Sequence, residues 1–171
     1  MHARHIAAIA LGLSCGAAPG AEMPRLKAGL WEMSTLQPKA QGKPAQAMKF
    51  CADDATQKEM MEFSQGMQRQ LCNRYDVRNE GGRFITESQC KFGATMATSR
   101  SVSTFSSDSA YRTEVRVAYD PPPAGHKETV LVLEGRYLGA CPAGMNPGDI
   151  EAAGKRTSLR EMREVLNKAK K

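Results

Sequence analysis

Four cysteines, Cys51, Cys72, Cys90 and Cys141, follow a stretch with the grammar of a secretory leader, and that combination narrows the folds open to this chain. An even thiol count in an exported chain predicts two disulfides, an oxidising compartment and a small domain stapled from within. The leader reading rests on residues 1–21. Arg4, with His2 and His5, gives a short positive start; Ile6 to Leu13 is apolar; Ala17 to Ala21 supplies small residues for cleavage after Ala18 or Ala21. The apolar stretch is far shorter than the ~20 residues a spanning helix needs, so it predicts a signal peptide and no retained anchor. The rival is lipidation at Cys15 within Leu13-Ser14-Cys15-Gly16, where Gly12 replaces the usual larger aliphatic residue. On either reading Cys15 leaves the disulfide count, and the predicted location is extracytoplasmic.

The remaining length suits one domain with a real core. Its net charge of +6 is unevenly placed. Residues 155–171 hold seven basic side chains, Lys155, Arg156, Arg160, Arg163, Lys168, Lys170 and Lys171, against Glu161 and Glu164, a net +5. Arg4 is the only charge in the leader, so residues 22–154 are neutral overall. A nucleic-acid-binding domain carries its basic face on the folded body, which argues against nucleic acid as a partner.

Hydrophobic periodicity predicts mostly strands. Residues 26–36, carrying the single Trp31, read as a first strand; 37–44, with two prolines and a glycine, as a loop; 45–51 as a returning strand. The period then changes. Met60, Phe63, Met67 and Leu71 fall on one face of a helix over 54–71, capped by Asp53 or Asp54 with Gln57, with Gly66 as a point where it weakens or ends. From Tyr75 the period is two. Residues 83–92 alternate with Ile85 as the apolar exception, 96–105 form a Ser/Thr-rich strand, and Tyr111, Thr113, Val115, Val117 and Tyr119 mark the cleanest amphipathic strand. Residues 120–125, with three consecutive prolines, must be a loop. Residues 129–137 read as the last strand, apolar on both faces. Beyond Asp149 the chain reads as loosely structured until Ser158, which with Glu161 forms a capping box ahead of a short helix bearing Leu159, Met162 and Leu166. The predicted fold is mainly β: an antiparallel meander forming a curved sheet or partial barrel, with one covering helix and a short C-terminal helix. Three segments follow: a signal peptide over 1–21, a disulfide-stapled β domain over 22–149, and a basic tail with an amphipathic helix over 150–171.

Two cysteine pairings compete. Gly81-Gly82 marks a hairpin turn, and Cys72 and Cys90 are symmetric about residue 81, so a three-residue loop at Glu80, Gly81 and Gly82 sets them opposite each other. A two-residue Gly81-Gly82 loop instead puts Tyr75 and Val77 on the face of Phe84, Thr86 and Cys90, which makes the better core but turns Cys72 away unless the chain bends. The favoured pairing is Cys72–Cys90 with Cys51–Cys141. Its rival, Cys51–Cys72 with Cys90–Cys141, needs the helix to stop near Gly66.

The motif Leu26-Lys27-Ala28-Gly29-Leu30-Trp31-Glu32, Phe50-Cys51 before an acidic-capped helix, Cys72 and Cys90 about a glycine hairpin, and Gly135 to Cys141 ahead of Pro147-Gly148-Asp149 form a recognisable set. It resembles the bacterial domain-of-unknown-function 3617 family of small exported proteins over about residues 26–149. The resemblance implies a periplasmic location and a paired-cysteine β domain, and it supplies no catalytic residue.

No catalytic, cofactor or metal site emerges. The mature chain has one histidine, His126, too few for a His-rich metal site, and oxidised cysteines offer no thiolate. No Gly-x-Ser-x-Gly elbow or phosphate loop is present. Glu114 and Glu134 can meet on neighbouring strands as the paired carboxylates of a glycoside hydrolase, but ion pairs with Arg112, Arg116 or Arg136 are the simpler outcome. Met48, Met60, Met61 and Met67 invite copper(I), a soft ion that thioethers suit, but their helical spacing also fits core packing. Trp31 is expected as a core anchor. The resulting expectation is a non-enzymatic periplasmic domain that binds an apolar small molecule or an envelope protein. The alternative is a structural envelope protein whose basic tail meets an anionic membrane surface.

Overall fold

The computed structural model describes residues 24–36 and 46–169. The predicted leader, Cys15, the loop at 37–44 and the terminal Lys170 and Lys171 lie outside the described residues. The chain runs β1 (Gly29–Leu36), β2 (Gln46–Ala52), α1 (Asp54–Leu71), β3 (Cys72–Glu80), β4 (Arg83–Phe92), β5 (Thr95–Ser107), β6 (Ala110–Asp120), β7 (Glu128–Gly139), β8 (Asp149–Ala152), β9 (Lys155–Ser158) and α2 (Leu159–Ala169). All nine of these strands join one antiparallel sheet in the order β3-β4-β5-β6-β7-β1-β2-β8-β9. The sheet is open, so the expectation of a curved sheet or partial barrel resolves to an unclosed antiparallel sheet, a meander from β3 to β7 continued by β1, β2, β8 and β9.

Two corrections concern the C-terminal segment. Residues 129–137 fall within β7, which is not the last strand, and the stretch read as loosely structured is the hairpin β8–β9. Ile150 of β8 pairs with Phe50 of β2, so this hairpin extends the sheet. Its tight turn places Ala153 and Gly154 at φ 50° and 72°, as a two-residue hairpin turn requires.

Helix α1 is capped by Asp53, whose carboxylate accepts from the Thr56 N–H at 2.8 Å while the Thr56 hydroxyl accepts from the Asp53 N–H at 2.9 Å. The expected Gln57 partner does something else. Its Oε1 accepts from the Leu26 N–H and its Nε2 donates to the Leu26 carbonyl, both at 2.9 Å, tying the segment before β1 to the helix. Gly66 does not end the helix, which continues to Leu71. Only Asp53 separates β2 from α1, and nothing separates α1 from β3. An 18-residue helix is about 27 Å long. The six strand steps between β2 and β3 measure about 29 Å along the sheet. The helix is thus long enough to return from β2 to β3 across one face of the sheet, its inner or concave face.

Strand register divides the side chains between faces. Trp31, Met33, Met48, Phe50, Phe84, Phe105, Tyr111, Val115, Leu133 and Tyr137 point to the concave side, and Glu32, Glu87, Arg100, Arg112, Glu114, Arg116, Glu134 and Arg136 to the convex side. The core centres on Trp31, fully buried, with Phe50 and Ala52 around it. The Trp31 indole N–H donates to the Lys27 carbonyl at 2.8 Å, and its ring meets Phe50, Tyr111 and Tyr137 at centroid separations of 6.4, 6.0 and 5.9 Å. The anchor role expected of Trp31 is what the structure shows.

The disulfides are Cys51–Cys141 and Cys72–Cys90, which excludes the rival pairing. The conflict around Gly81 resolves through a bulge. The turn is the two-residue one, with Glu80 opposite Arg83 and Tyr75 opposite Ser88, and a register shift at Asn73 then brings Cys72 opposite Cys90. Both the apolar alternation and the cysteine symmetry are satisfied. Such bridges belong to an oxidising environment.

Candidate functional site

Nothing on α1 is buried. That is unusual for a helix whose Met60, Phe63 and Leu71 share a face turned toward a sheet, because such a face normally fills the space beneath it. Here the space is open. A groove of about 500 Å³ runs between helix and sheet, lined by Met33, Met48, Phe50, Phe105, Tyr111 and Ile150 from the strands. From α1 it takes Gln57, Met60, Met61, Phe63 and Ser64, from α2 Leu159 and Met162, and from the entering chain Pro24 and Leu26. Five of the ten methionines of the sequence converge on it.

The polar groups in this lining are few. Both ends of the Gln57 amide are engaged by Leu26. The Ser64 hydroxyl accepts from Gln68 at 3.1 Å. Tyr111 packs between Trp31 and Phe105, at 6.0 and 5.9 Å between centroids, and burial pushes its phenol pKa up, so it stays neutral. Its ring lies over Gly135, where a Cβ would collide with it. No lining residue carries a charge. What the groove presents is polarisable, flexible apolar surface, suited to dispersion contact with hydrocarbon.

Helix α2 closes one side. The capping box expected of Ser158 and Glu161 is present: the Ser158 N–H donates to the Glu161 carboxylate at 2.9 Å, and the Glu161 N–H donates to the Ser158 hydroxyl at 3.2 Å. Arg163 fixes α2 to α1 by donating to the Glu59 carboxylate at 2.6 Å and to the Glu59 carbonyl at 3.1 Å, with its guanidinium over Phe63. Leu159 is buried beside Gly148, whose carbonyl accepts from the Leu159 N–H.

A second cleft, about 660 Å³, opens among Glu32, Arg112, Glu134 and Arg136, with Phe105 and Tyr111 also in its wall. Its charges are spent on one another. Arg112 bridges Glu114 and Glu134, Arg136 pairs with Glu32, and Arg116 pairs with Glu128. Farther along, Glu87 accepts from Arg78 and is flanked by Arg74 and Arg100, which holds its carboxyl below the ordinary range. The carboxylates Glu114 and Glu134 thus meet through an arginine, as ion pairs.

Of the methionines singled out in the sequence, Met48, Met60 and Met61 line the groove, while Met67 lies outside it and is 40% exposed. Among the described residues no group of three His, Cys, Asp or Glu stands together as metal ligands. His126 is exposed at the end of the short turn Pro123–Gly125. The tail cations separate: Arg156 holds the Gly144 carbonyl and Glu151, Arg160 pairs with Glu164, Arg163 with Glu59, and Lys155 and Lys168 are exposed. Sequence reasoning did not single out Met33, Ile150 or Met162 as parts of one site. The alternation that aligns Met33 with Trp31 and Met48 with Phe50 was a usable signal for the strands. The packing of α2 against α1 had none.

A family model described as a protein of unknown function, DUF3617, matches residues 26–141. No curated protein and no solved structure matches the chain.

Proposed function

The chain belongs to the DUF3617 family, whose function is unassigned, and we propose that it is a non-enzymatic periplasmic binding protein for an apolar small molecule. The export half of this reading is supported by the leader-like residues 1–21 and by two disulfides. The binding half is carried by one observation: an amphipathic helix anchored at both ends spans the sheet while its apolar face covers an uncharged groove of about 500 Å³. That volume falls in the range of about 300–1,000 Å³ found for small-molecule sites, and the lining has their mostly apolar composition. Methionine suits a site that must adapt to variable hydrocarbon, since its side chain repacks at little cost. Each ligand methylene moved from water into the groove contributes about 0.8 kcal/mol, so binding rises steeply with chain length.

The test is titration with a fluorescent fatty acid whose emission reports an apolar environment. Saturable one-to-one binding is expected, with Met60→Asp weakening it by at least about tenfold. Unsaturable binding, or equal affinity in the Met60→Asp protein, contradicts the proposal.

A further inference from the structure

The apolar surface of the groove does not stop at its rim. Met61 and Met162, both in the lining, are 46% and 38% exposed, and Val165, one turn beyond Met162 on the same side of α2, is 66% exposed. Residues three apart on a helix are neighbours, so Met162 and Val165 form one uncovered stripe. Lys168, three residues beyond Val165, flanks this stripe, while Arg160 and Arg163 lie round the helix from it, paired with Glu164 and Glu59. This is the distribution of a helix that lies in the plane of a lipid surface, apolar side down and cations at headgroup level. The charge of the chain sits at the same end, because residues 155–171 are net +5 while residues 22–154 are neutral. Lys155 and Lys168 have no carboxylate partner among the described residues and remain available to an external anion. No helix of the described residues is long and apolar enough to cross a membrane.

We propose that α2 and the adjoining rim of the groove dock on an anionic lipid bilayer, with Val165, Met162 and Met61 entering the headgroup boundary and Lys155 and Lys168 facing lipid phosphates. A nucleic acid would meet the cations but leave the methionine and valine stripe wet. A zwitterionic surface would cover the stripe and leave the lysines unmatched. The bilayer also holds the hydrocarbon-rich molecules that the groove is shaped to take, and the docked orientation turns the groove's mouth toward them.

The experiment is co-sedimentation of the full chain with phosphatidylcholine vesicles, with and without phosphatidylglycerol. Binding is expected to be at least about tenfold stronger with the anionic lipid and to fall as salt is raised. The double variant Lys155→Glu/Lys168→Glu, and separately Val165→Asp, should each lose about tenfold on anionic vesicles with unchanged far-ultraviolet circular dichroism. Equal binding to both vesicle types, no binding to the anionic ones, or indifference to both variants overturns the docking. The same proteins are titrated with the fluorescent fatty acid in the absence of vesicles. A chain that takes up the probe and ignores anionic vesicles refutes the docking and keeps the groove. One that binds anionic vesicles selectively without taking up the probe upholds the docking and refutes the groove as a ligand site.

Discussion

At the scale of single residues, the concave face depends on how closely a few rings approach one another. Tyr111 reaches across β7 because Gly135 leaves room for its ring, which completes the wall shared by Trp31 and Phe105. Gly135→Ala puts a methyl group where the ring stands. It should destabilise the fold by about 1–3 kcal/mol, read from chemical unfolding, and should alter probe affinity, because Tyr111 lines the groove. A neutral result on both counts would contradict the packing described. The helix caps act through charge. The Asp53 carboxyl is held below its ordinary range by the Thr56 N–H and hydroxyl, and that of Glu161 by the Ser158 N–H and the Thr157 hydroxyl. A carboxyl whose pKa is lower in the folded state adds stability above its unfolded value and loses it as pH falls through the folded one. Helicity should therefore hold steady between about pH 5 and 8 and decline below about pH 4. Asp53→Asn keeps the cap acceptor but removes that residue's share of the acid loss, measurable by circular dichroism across an acid titration.

At the scale of elements, α1 works as a strap whose ends are set by its neighbours. Its C-terminus runs straight into Cys72, and the Cys72–Cys90 bridge secures that junction to β4. Replacing both cysteines, Cys72→Ser/Cys90→Ser, frees a loop of 18 residues, for which a loss of about 3 kcal/mol is expected in urea unfolding. An unchanged midpoint would mean that the strap is held by packing alone. The strands with strict alternation, β4 and β6, were legible from sequence, as were the helical period of α1 and the Ser158–Glu161 cap. The four-residue strands β8 and β9 were hidden because Ile150 is their single large apolar residue, so no period shows within so short a span. Of the two caps open to α1, Asp53 is the one used because it meets a threonine three positions on, and Gln57 is thereby free to hold Leu26. The hairpin conflict at Gly81 was legible as a conflict. Its resolution, a bulge at Asn73, has no local sequence mark.

At the scale of the whole molecule, the sheet separates two surfaces. The convex face carries mutually satisfied ion pairs, worth little individually and well suited to solvent, around the buried Ile85 and Val132. The concave face gathers the aromatic rings and half of the methionines, yet its covering helix buries none of its own residues. A sheet, a strap and a short second helix thus enclose a volume with apolar walls and no charge. The walls from β1, β2, β6, α1 and α2 were legible separately and that from β8 was not, and their convergence is a property of the strand order, which places β1 and β2 beside β7 and brings α1 back over them. On our proposal this volume holds a hydrocarbon-rich ligand. Native mass spectrometry of the protein purified from its own cells without detergent is the direct test. The expected spectrum shows a population carrying one non-covalent organic molecule, lost on extraction with solvent and restored by incubation with a fatty acid. A single bare mass, both as isolated and after that incubation, would contradict it.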